Sequence, residues 1–458
     1  MTSSGLFNYA ALLLAVLGLA CQSPADPADT DGSSGDTGGA TGGATDDAPT
    51  GGETDGGPEG APILERTPVL SHTCEATAPL VQLGDAGWHT DALAVHAGAA
   101  WQVRSDVSAL SLSTVAADGT LGASVELDGE DWAYREPDLA VSGDQLAAVW
   151  LHLAQSGEAS LRFAVYAPDG APVVAAHDIG AASGYYLRNP RVLPRAAGGW
   201  SVFYADADDA GASSLRHLAV DADGAEVGAA VEVVAGGQTY GYFAHSVVTT
   251  PGGYALLYTD DRGAGFEVFV RSLAADAAPN GPERRLSRAA GGGWYANGGF
   301  SAAGGRALLA RGDRLWATWT ESYFNDDFAD PEGETTVHVG VVDDQGAGAT
   351  YQLAAAVAGK RDIDPTLFAL GDRVGLMWTT GTMIFACGGC IADDDVKLVL
   401  IDPTAVAPAS EVVTHAHLTN GLVRPKTAVL GPQIVHTADV DFHALTKPAV
   451  GMTTCAPL

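Results

Sequence analysis

One aromatic position recurs along this chain at intervals of about 50 to 60 residues. Each member follows an apolar run and precedes polar residues, as in LAAVWLH, WSVFYAD, YALLYTD and VGLMWTT. The six members are Trp101, Trp150, Tyr204, Tyr258, Trp319 and Trp378, and His436 stands where a seventh would fall. A period of this length predicts a chain built of repeated units, with the aromatic residues packed between neighbouring units.

Short strands and turns fill each interval. Apolar runs such as LRFAVYA and EVFVRSLA alternate with Asp, Gly and Asn turns such as PDG and DADG, which is hairpin chemistry. Four strands per unit predict an all-β propeller over residues 63–458. In repeat spacing and strand order, residues 68–458 resemble seven-bladed β-propellers in general, so we expect seven blades, with six as the alternative.

The two ends of this region predict how the ring closes. The last unit, from about Leu422, has three strands, and LVQLG at 80–84 is an isolated strand before the first full unit. Pairing of these strands in one blade would leave no open sheet edge. Such a pairing brings Cys74 next to Cys455, and we therefore expect a disulfide between them.

The N-terminus is typical of an export signal. Residues 9–20, YAALLLAVLGLA, are apolar, too short to span a bilayer comfortably, and end directly before Cys21. This arrangement resembles the signal of bacterial lipoproteins of Gram-negative type, which implies a signal peptide at 1–20 and lipidation of Cys21. The alternative is an ordinary secretory signal. Residues 21–62 are rich in Gly, Asp and Thr and predict a disordered acidic tether.

Charge narrows the classes of partner. The chain has 56 acidic against 23 basic residues and a formal net charge of −33. A surface this acidic repels nucleic acid and anionic lipid headgroups, so we expect no nucleic-acid partner and membrane contact only through the N-terminal lipid. We expect a monomeric lipoprotein of the cell envelope, on the outer membrane.

The loops that join successive units carry the candidate ligand-binding residues, because such loops meet at one mouth of a propeller channel. Aromatic rings interleaved with charged side chains suit a glycan or an extended peptide of an envelope protein. The candidates are Trp88, Trp132, Tyr134, Arg135, Tyr186, Arg188, Tyr242, His245, Trp294, Tyr295, Arg361 and Arg424. The alternative is that these rings only pack between blades. The favoured function is therefore a non-catalytic binding face.

An enzymatic function is the first alternative. The sequence Tyr134-Arg135-Glu136-Pro137 resembles the Arg-x-Pro of sialidases, which implies a glycoside hydrolase or lyase on the same scaffold. Arg135, Arg188, Arg361 and Arg424 would then bind a carboxylate. The acids Glu136, Asp138, Asp362 and Asp364 would supply acid–base groups. The sialidase Asp-boxes are absent and the x-Pro recurs in other units, so catalysis is not the favoured hypothesis. A purely structural protein is the second alternative.

Two further motifs concern metals and cysteines. Cys387 and Cys390 form a Cys-x-x-Cys, for which we expect a local disulfide; His415 and His417 are the additional ligands that a zinc site would need. The acidic loops at 206–209, 260–265, 325–334 and 392–395 are expected to be solvated, with calcium binding as the alternative. We expect no cofactor.

Overall fold

The computed structural model describes residues 60–82, 91–105, 109–116, 118–129, 136–153, 159–180, 188–207, 213–235, 245–261, 266–288, 294–297, 307–323, 334–343, 346–357, 360–384, 390–418, 425–440 and 447–458. Of the two compact units in the chain, the larger, Asp55–Phe385 with Gly389–Leu458, contains all of them. Apart from one 3₁₀ turn at Ile63–Glu65, the regular structure in these ranges is β-strand. The described part of the chain contains no helix long and apolar enough to cross a membrane.

Thirty strands are present in the described ranges. The first thirteen are β1 (His72–Gln82), β2 (Asp91–His96), β3 (Ala99–Ser105), β4 (Leu110–Val115), β5 (Leu121–Asp128), β6 (Asp138–Ser142), β7 (Gln145–Leu153), β8 (Ala159–Tyr166), β9 (Pro172–Ile179), β10 (Arg188–Pro194), β11 (Trp200–Ala207), β12 (Ser213–Val220) and β13 (Val231–Val234).

The next nine are β14 (His245–Thr250), β15 (Gly253–Asp261), β16 (Phe266–Ala274), β17 (Arg284–Arg285), β18 (Trp294–Asn297), β19 (Leu308–Arg311), β20 (Arg314–Tyr323), β21 (Glu334–Val342) and β22 (Gly348–Gln352). The last eight are β23 (Lys360–Leu370), β24 (Arg373–Ile384), β25 (Cys390–Asp402), β26 (Ala407–Pro408), β27 (Val413–Leu418), β28 (Lys426–Leu430), β29 (Gln433–Val440) and β30 (Lys447–Pro457).

The architecture is an all-β propeller. Four blades are antiparallel sheets of consecutive strands, β2–β5, β6–β9, β10–β13 and β14–β17. In each of them the first strand is innermost and lines a central channel. Hairpin turns join the strands because Asp and Gly residues occupy them; in the turn at 221–225, for example, Asp221 accepts the backbone N–H groups of Asp223 and Ala225.

The fifth blade closes the ring as the sequence predicts. Its order is β1-β30-β29-β28, so the N-terminal strand pairs antiparallel with the C-terminal one. Cys74 lies directly opposite Cys455 in this pairing and forms a disulfide with it across 381 residues of sequence. The predicted closure and its disulfide are therefore confirmed. We call this sheet the closing blade.

The predicted count of seven blades, with six as the alternative, is wrong. Five separate four-stranded blades form, and residues 294–418 make one ten-stranded sheet instead of further separate blades. Thr335 of β21 and Arg361 of β23 pair in parallel, and this bridge joins strand groups that the sequence pattern separates. The repeat of strands and turns in the sequence indicates how many groups of strands there are. It does not indicate whether the backbones of two groups pair with each other.

The recurrent aromatic residues pack between sheets, as predicted. All six lie in the strand next to an inner strand, and each is at most 5% exposed. Trp150 shares an apolar cluster with Val103 and Leu112 of the preceding blade, and Tyr204 shares one with Phe163 of its predecessor. Burial of a large aromatic side chain contributes about 2–3 kcal/mol to stability, so these residues hold adjacent sheets together.

Candidate functional site

A central channel runs through the described structure. Its cavity of about 440 Å³ is lined by residues of β2, β6, β10, β14, β19, β23 and β28, the last three from the ten-stranded sheet and the closing blade. Most of the wall is aliphatic, as with Leu139, Val192 and Val247, whereas Asp138 and Arg191 are its charged members. Asp138 is the first residue of β6. We call the end of the channel where the inner strands begin the channel mouth.

Three residues at the channel mouth share an unusual backbone. Glu136, Asn189 and Asp364 each precede a proline and have φ values of 34°, 51° and 50°. A residue before proline is normally extended, and a left-handed backbone is uncommon for any residue except glycine, asparagine and aspartate. Backbone strain of this type costs on the order of 1–3 kcal/mol and clusters at functional sites. The recurrence also explains how the chain turns into an inner strand.

Two of these left-handed residues contact each other. Glu136 and Asn189 are both buried, and the backbone N–H of Asn189 donates to Oε2 of Glu136 at 2.5 Å. Two residues further on, Asp138 accepts the backbone N–H of Val192 at 2.9 Å, and its other oxygen lies 3.8 Å from the Arg191 guanidinium. The carboxylates of Asp138, the first residue of β6, and of Glu136 just before it thus hold the start of β10 in place.

A buried lysine pairs with an aspartate between the closing blade and the first blade. Nζ of Lys426 donates to the backbone oxygen of Asp91 and to its Oδ1, at 2.5 Å for the latter. The amide of Gln102 donates to Oδ2 of Asp91 at 3.1 Å. Since both charged side chains are 3% exposed, removal of one would leave the other charge buried without its partner.

Asp362 is a carboxyl group near the start of β23 whose pKa is shifted by its surroundings. It lies in β23 opposite Thr380 of β24 and is half-buried. Burial raises the pKa of this carboxyl, while hydrogen bonds to Thr380 and Trp378 and the charge of Lys397 act in the opposite direction. A carboxyl with a raised pKa retains its proton to higher pH and can act as a general acid.

The structure places some of the predicted ligand-binding residues at this end. His245 is buried at the start of β14, opposite Tyr258, and Arg361 is buried in β23. The backbone of Arg188 begins β10 opposite Ala205. Both His245 and Arg361 are at most 7% exposed, so they present little surface to a ligand.

The predicted loop positions of several residues are wrong. Trp294 and Tyr295 lie in β18, whose backbone pairs with Tyr323 and Ser322 of β20, and Arg361 lies in a strand of eleven residues. The glycine and charged residues around these segments predict loops. The segments are strands because their backbones pair with a neighbouring strand. Cys390 begins β25, opposite Ile384.

The remaining predicted site residues lie outside the described residues. They are Trp88, Trp132, Tyr134, Arg135, Tyr186, Tyr242, Arg424, Cys21 and Cys387. Within the described ranges, no group of three or more His, Cys, Asp or Glu side chains is arranged to hold a metal ion. The predictions of lipidation, of a Cys387–Cys390 disulfide and of calcium binding stay predictions.

Sequence reasoning missed two polar clusters below the joining loops. Asp128 accepts the indole N–H of Trp150 at 3.1 Å and lies 2.9 Å from Nδ1 of His152 and 3.6 Å from Arg162. In the ten-stranded sheet, Glu321 makes the same types of contact as Asp128. It accepts the indole N–H of Trp319 at 3.0 Å and lies 3.3 Å from Arg288 and 3.6 Å from His338. The sequence WTE at 319–321 was a local signal for the second cluster, because it places Trp319 close to Glu321. No local signal pointed to the first cluster, because Asp128 is distant in sequence from its partners.

Comparison with solved structures finds distant propeller-like neighbours. An α-L-arabinofuranosidase from Fusarium graminearum is 10% identical over 69% of this chain and 92% of its own, with a TM-score of 0.44. The polysaccharide lyase Uly1 is 9% identical over 82% of this chain and 92% of its own, with a TM-score of 0.45. The GH43 protein BlXynB from Bacillus licheniformis is 10% identical over 84% and 98%, with a TM-score of 0.35.

These neighbours are glycoside hydrolases and a lyase built on propeller folds. At such identities and TM-scores the likeness carries no argument about what this chain does. No protein-family profile matches the chain, and no curated protein sequence matches it.

Proposed function

We propose that the protein is a carbohydrate-active enzyme that cleaves glycosidic bonds at the channel mouth, either as a glycoside hydrolase or as a lyase. The observation that carries this proposal is the set of carboxyl groups at the starts of β6 and β23, with Glu136 and Asp364 held in strained, left-handed backbones. Cleavage of a glycosidic bond by hydrolysis uses two carboxyl groups, one protonated and one ionised. Several carboxyl groups lie at the mouth, and burial raises the pKa of one of them, Asp362.

The roles follow from the environments of the acids. Asp362, whose pKa is raised by burial, is the candidate general acid that protonates the leaving oxygen. Asp364 lies two residues along the same strand and is the candidate base or nucleophile. Glu136 is engaged by the backbone N–H of Asn189, so its role is to position the mouth.

Non-catalytic binding is the second candidate. It is favoured by the same contacts of Glu136 and Asp138, because both carboxylates already hold β10 through backbone N–H groups. If every acid at the mouth has such a structural role, the mouth binds a glycan or a protein segment without turnover. The aromatic residues predicted in the joining loops would then supply the contact surface.

The test uses the full chain and a panel of polysaccharides, including arabinan and xylan. Reducing ends report hydrolysis, ultraviolet absorbance of unsaturated products reports elimination, and affinity electrophoresis reports binding. We expect turnover of at least one substrate, and a loss of 10²-fold or more in Asp362→Asn. The matched control is Asp144→Asn, which changes an exposed turn residue after β6. Binding without turnover favours the second candidate; absence of both contradicts both.

We also propose that the propeller is held at the cell envelope through lipid on Cys21. The support is the resemblance of residues 9–21 to a lipoprotein signal. Cys21→Ser should release the protein from the membrane fraction into the soluble fraction. Unchanged membrane association of that variant would exclude this anchor.

A further inference from the structure

A lysine and an aspartate from two neighbouring blades meet in a buried site that the proposed function does not use. Lys426 is the first residue of β28 in the closing blade, and Asp91 is the first residue of β2. Nζ of Lys426 lies 2.5 Å from Oδ1 of Asp91 and also donates to the backbone oxygen of Asp91. A charge-assisted hydrogen bond between nitrogen and oxygen is normally about 2.7–2.9 Å long. The amine is therefore held closer to the carboxyl group than an ordinary ion pair requires.

The surroundings of this pair exclude water. Both side chains are 3% exposed, and the neighbouring Gln102 is 1% exposed. The residues beside them in the strands pack in apolar clusters, Ala92 and Val103 in one and Ala428 in another. The removal of two charges from water into such a site costs free energy that their attraction repays only in part. A reaction that converts the pair into an uncharged product removes that cost.

Gln102 makes the two oxygens of the carboxyl group different from each other. Its Nε2 donates to Oδ2 of Asp91 at 3.1 Å, whereas Lys426 contacts Oδ1. A donor held against one oxygen stabilises the negative charge that develops there when a nucleophile adds to the carbon. Oδ2 is therefore placed to remain as a carbonyl oxygen, and Oδ1 is placed to take protons from the amine and leave.

We propose that Lys426 and Asp91 form an isopeptide bond that cross-links the closing blade to the blade β2–β5. A proton first passes from Nζ to Oδ1, which gives a neutral amine and a carboxylic acid. The lone pair of Nζ then forms a bond to Cγ, and the negative charge on Oδ2 is stabilised by the amide of Gln102. Finally the Cγ–Oδ1 bond breaks, and Oδ1 leaves as water with two protons of the original ammonium group. The third proton stays on the amide nitrogen, and no oxidant or other reactant is consumed.

The closed ring supplies what this reaction needs. The two residues are 335 positions apart in the sequence, so they meet only after the closing blade has packed against the blade β2–β5. Well-oriented groups within one molecule react with effective molarities on the order of 10⁵–10⁸ M. Exclusion of water also protects the product from hydrolysis. The bond thus fastens β28 to β2, while the Cys74–Cys455 disulfide fastens β1 to β30.

Mass spectrometry of the full chain, after reduction and alkylation of its cysteines, tests the proposal. We expect the chain to be lighter than its composition requires by the mass of one water molecule. A proteolytic digest should contain one branched peptide in which Nζ of Lys426 is joined to Cγ of Asp91. Lys426→Arg keeps the positive charge but has no amine to acylate, so this variant should have the full mass and no branched peptide.

Lys397→Arg is the matched control, because Lys397 also lies in a strand and interacts with a carboxyl group, that of Asp362. It should retain both the loss of water and the branched peptide. Gln102→Leu removes the donor to Oδ2, and we expect it to be isolated with an unlinked fraction that becomes linked on the order of 10²-fold more slowly. Complete linkage in freshly isolated Gln102→Leu would overturn the role of the amide.

The proposal is overturned if the wild-type chain has its full mass, which would mean that the pair is an ion pair only. It is also overturned if water is lost without a branched peptide, since an aspartate can lose water by closing a ring with its own backbone. Should Lys426→Arg not fold, the presence or absence of the branched peptide in the wild-type digest by itself decides the question.

Discussion

The carboxylate of Glu136 accepts the backbone N–H of Asn189, and both residues hold left-handed backbones directly before a proline. One strained residue thus fixes the other across two neighbouring blades. The contact accounts for the conformation of Asn189 at the start of β10, where the channel mouth forms. Glu136 is engaged in this contact, whereas Asp362 is the general acid that we propose.

Replacement of Glu136 by glutamine tests this contact. The amide still accepts a hydrogen bond but loses the charge that strengthens it, so we expect unfolding free energy to fall by about 1 kcal/mol. Urea denaturation of Glu136→Gln beside the exposed control Asp144→Asn measures the difference. Equal stability of the two variants would mean that the charged hydrogen bond contributes nothing.

Asp128 should be among the most sensitive charged residues of the propeller. Its side chain is 1% exposed and joins Trp150, His152 and Arg162, so Asp128→Ala leaves buried donors without an acceptor. We expect a loss of about 3 kcal/mol in unfolding free energy. Asp178→Ala is the control, because Asp178 pairs with the same Arg162 but is 59% exposed; its loss should stay below about 1 kcal/mol. Similar losses in both variants would contradict the role of burial.

The disulfide of the closing blade should contribute strongly to stability. A cross-link over 381 residues lowers the entropy of the unfolded chain, with an upper estimate of about 6 kcal/mol. The double variant Cys74→Ser and Cys455→Ser should therefore unfold at lower denaturant concentration. Non-reducing peptide mapping of the wild type must yield one linked peptide pair containing both cysteines; two free thiols would exclude the pairing.

His217 should make the protein less stable in acid. It is buried, and Nε2 is hydrogen-bonded to Ser201 at 2.9 Å; burial lowers its pKa from 6.5 to about 4. The unfolded chain binds this proton below about pH 6.5 and the folded protein only below about pH 4, so stability is lost as pH falls between these values. The loss reaches about 3 kcal/mol.

His217→Gln should remove that part of the pH dependence. Urea denaturation at several pH values between about 7 and 4 measures it as a smaller decrease in unfolding free energy. A decrease equal to that of the wild type would show that His217 is accessible to protons in the folded protein.

The fold type could be predicted from the sequence because a propeller repeats its strand pattern in every unit. The aromatic residues from Trp101 to Trp378 mark strands that pack between sheets, and the isolated N-terminal strand and the three-stranded last unit indicated ring closure. Cys74 and Cys455 followed from that closure. Much less of the candidate site was predictable: the sequence pointed to the acids Glu136 and Asp362, but not to the contact between Glu136 and Asn189.

By itself, then, the sequence determined the propeller, its aromatic core and its closing disulfide, because side-chain periodicity and turn chemistry are local properties. Tertiary structure alone decided that the strands of residues 294–418 join in one sheet, through backbone groups that no side-chain pattern records. It also decided which polar residues meet: Glu136 with Asn189, Asp128 with Trp150, and His415 with His436. These pairs are distant in the chain, and only packing between the blades brings them within contact.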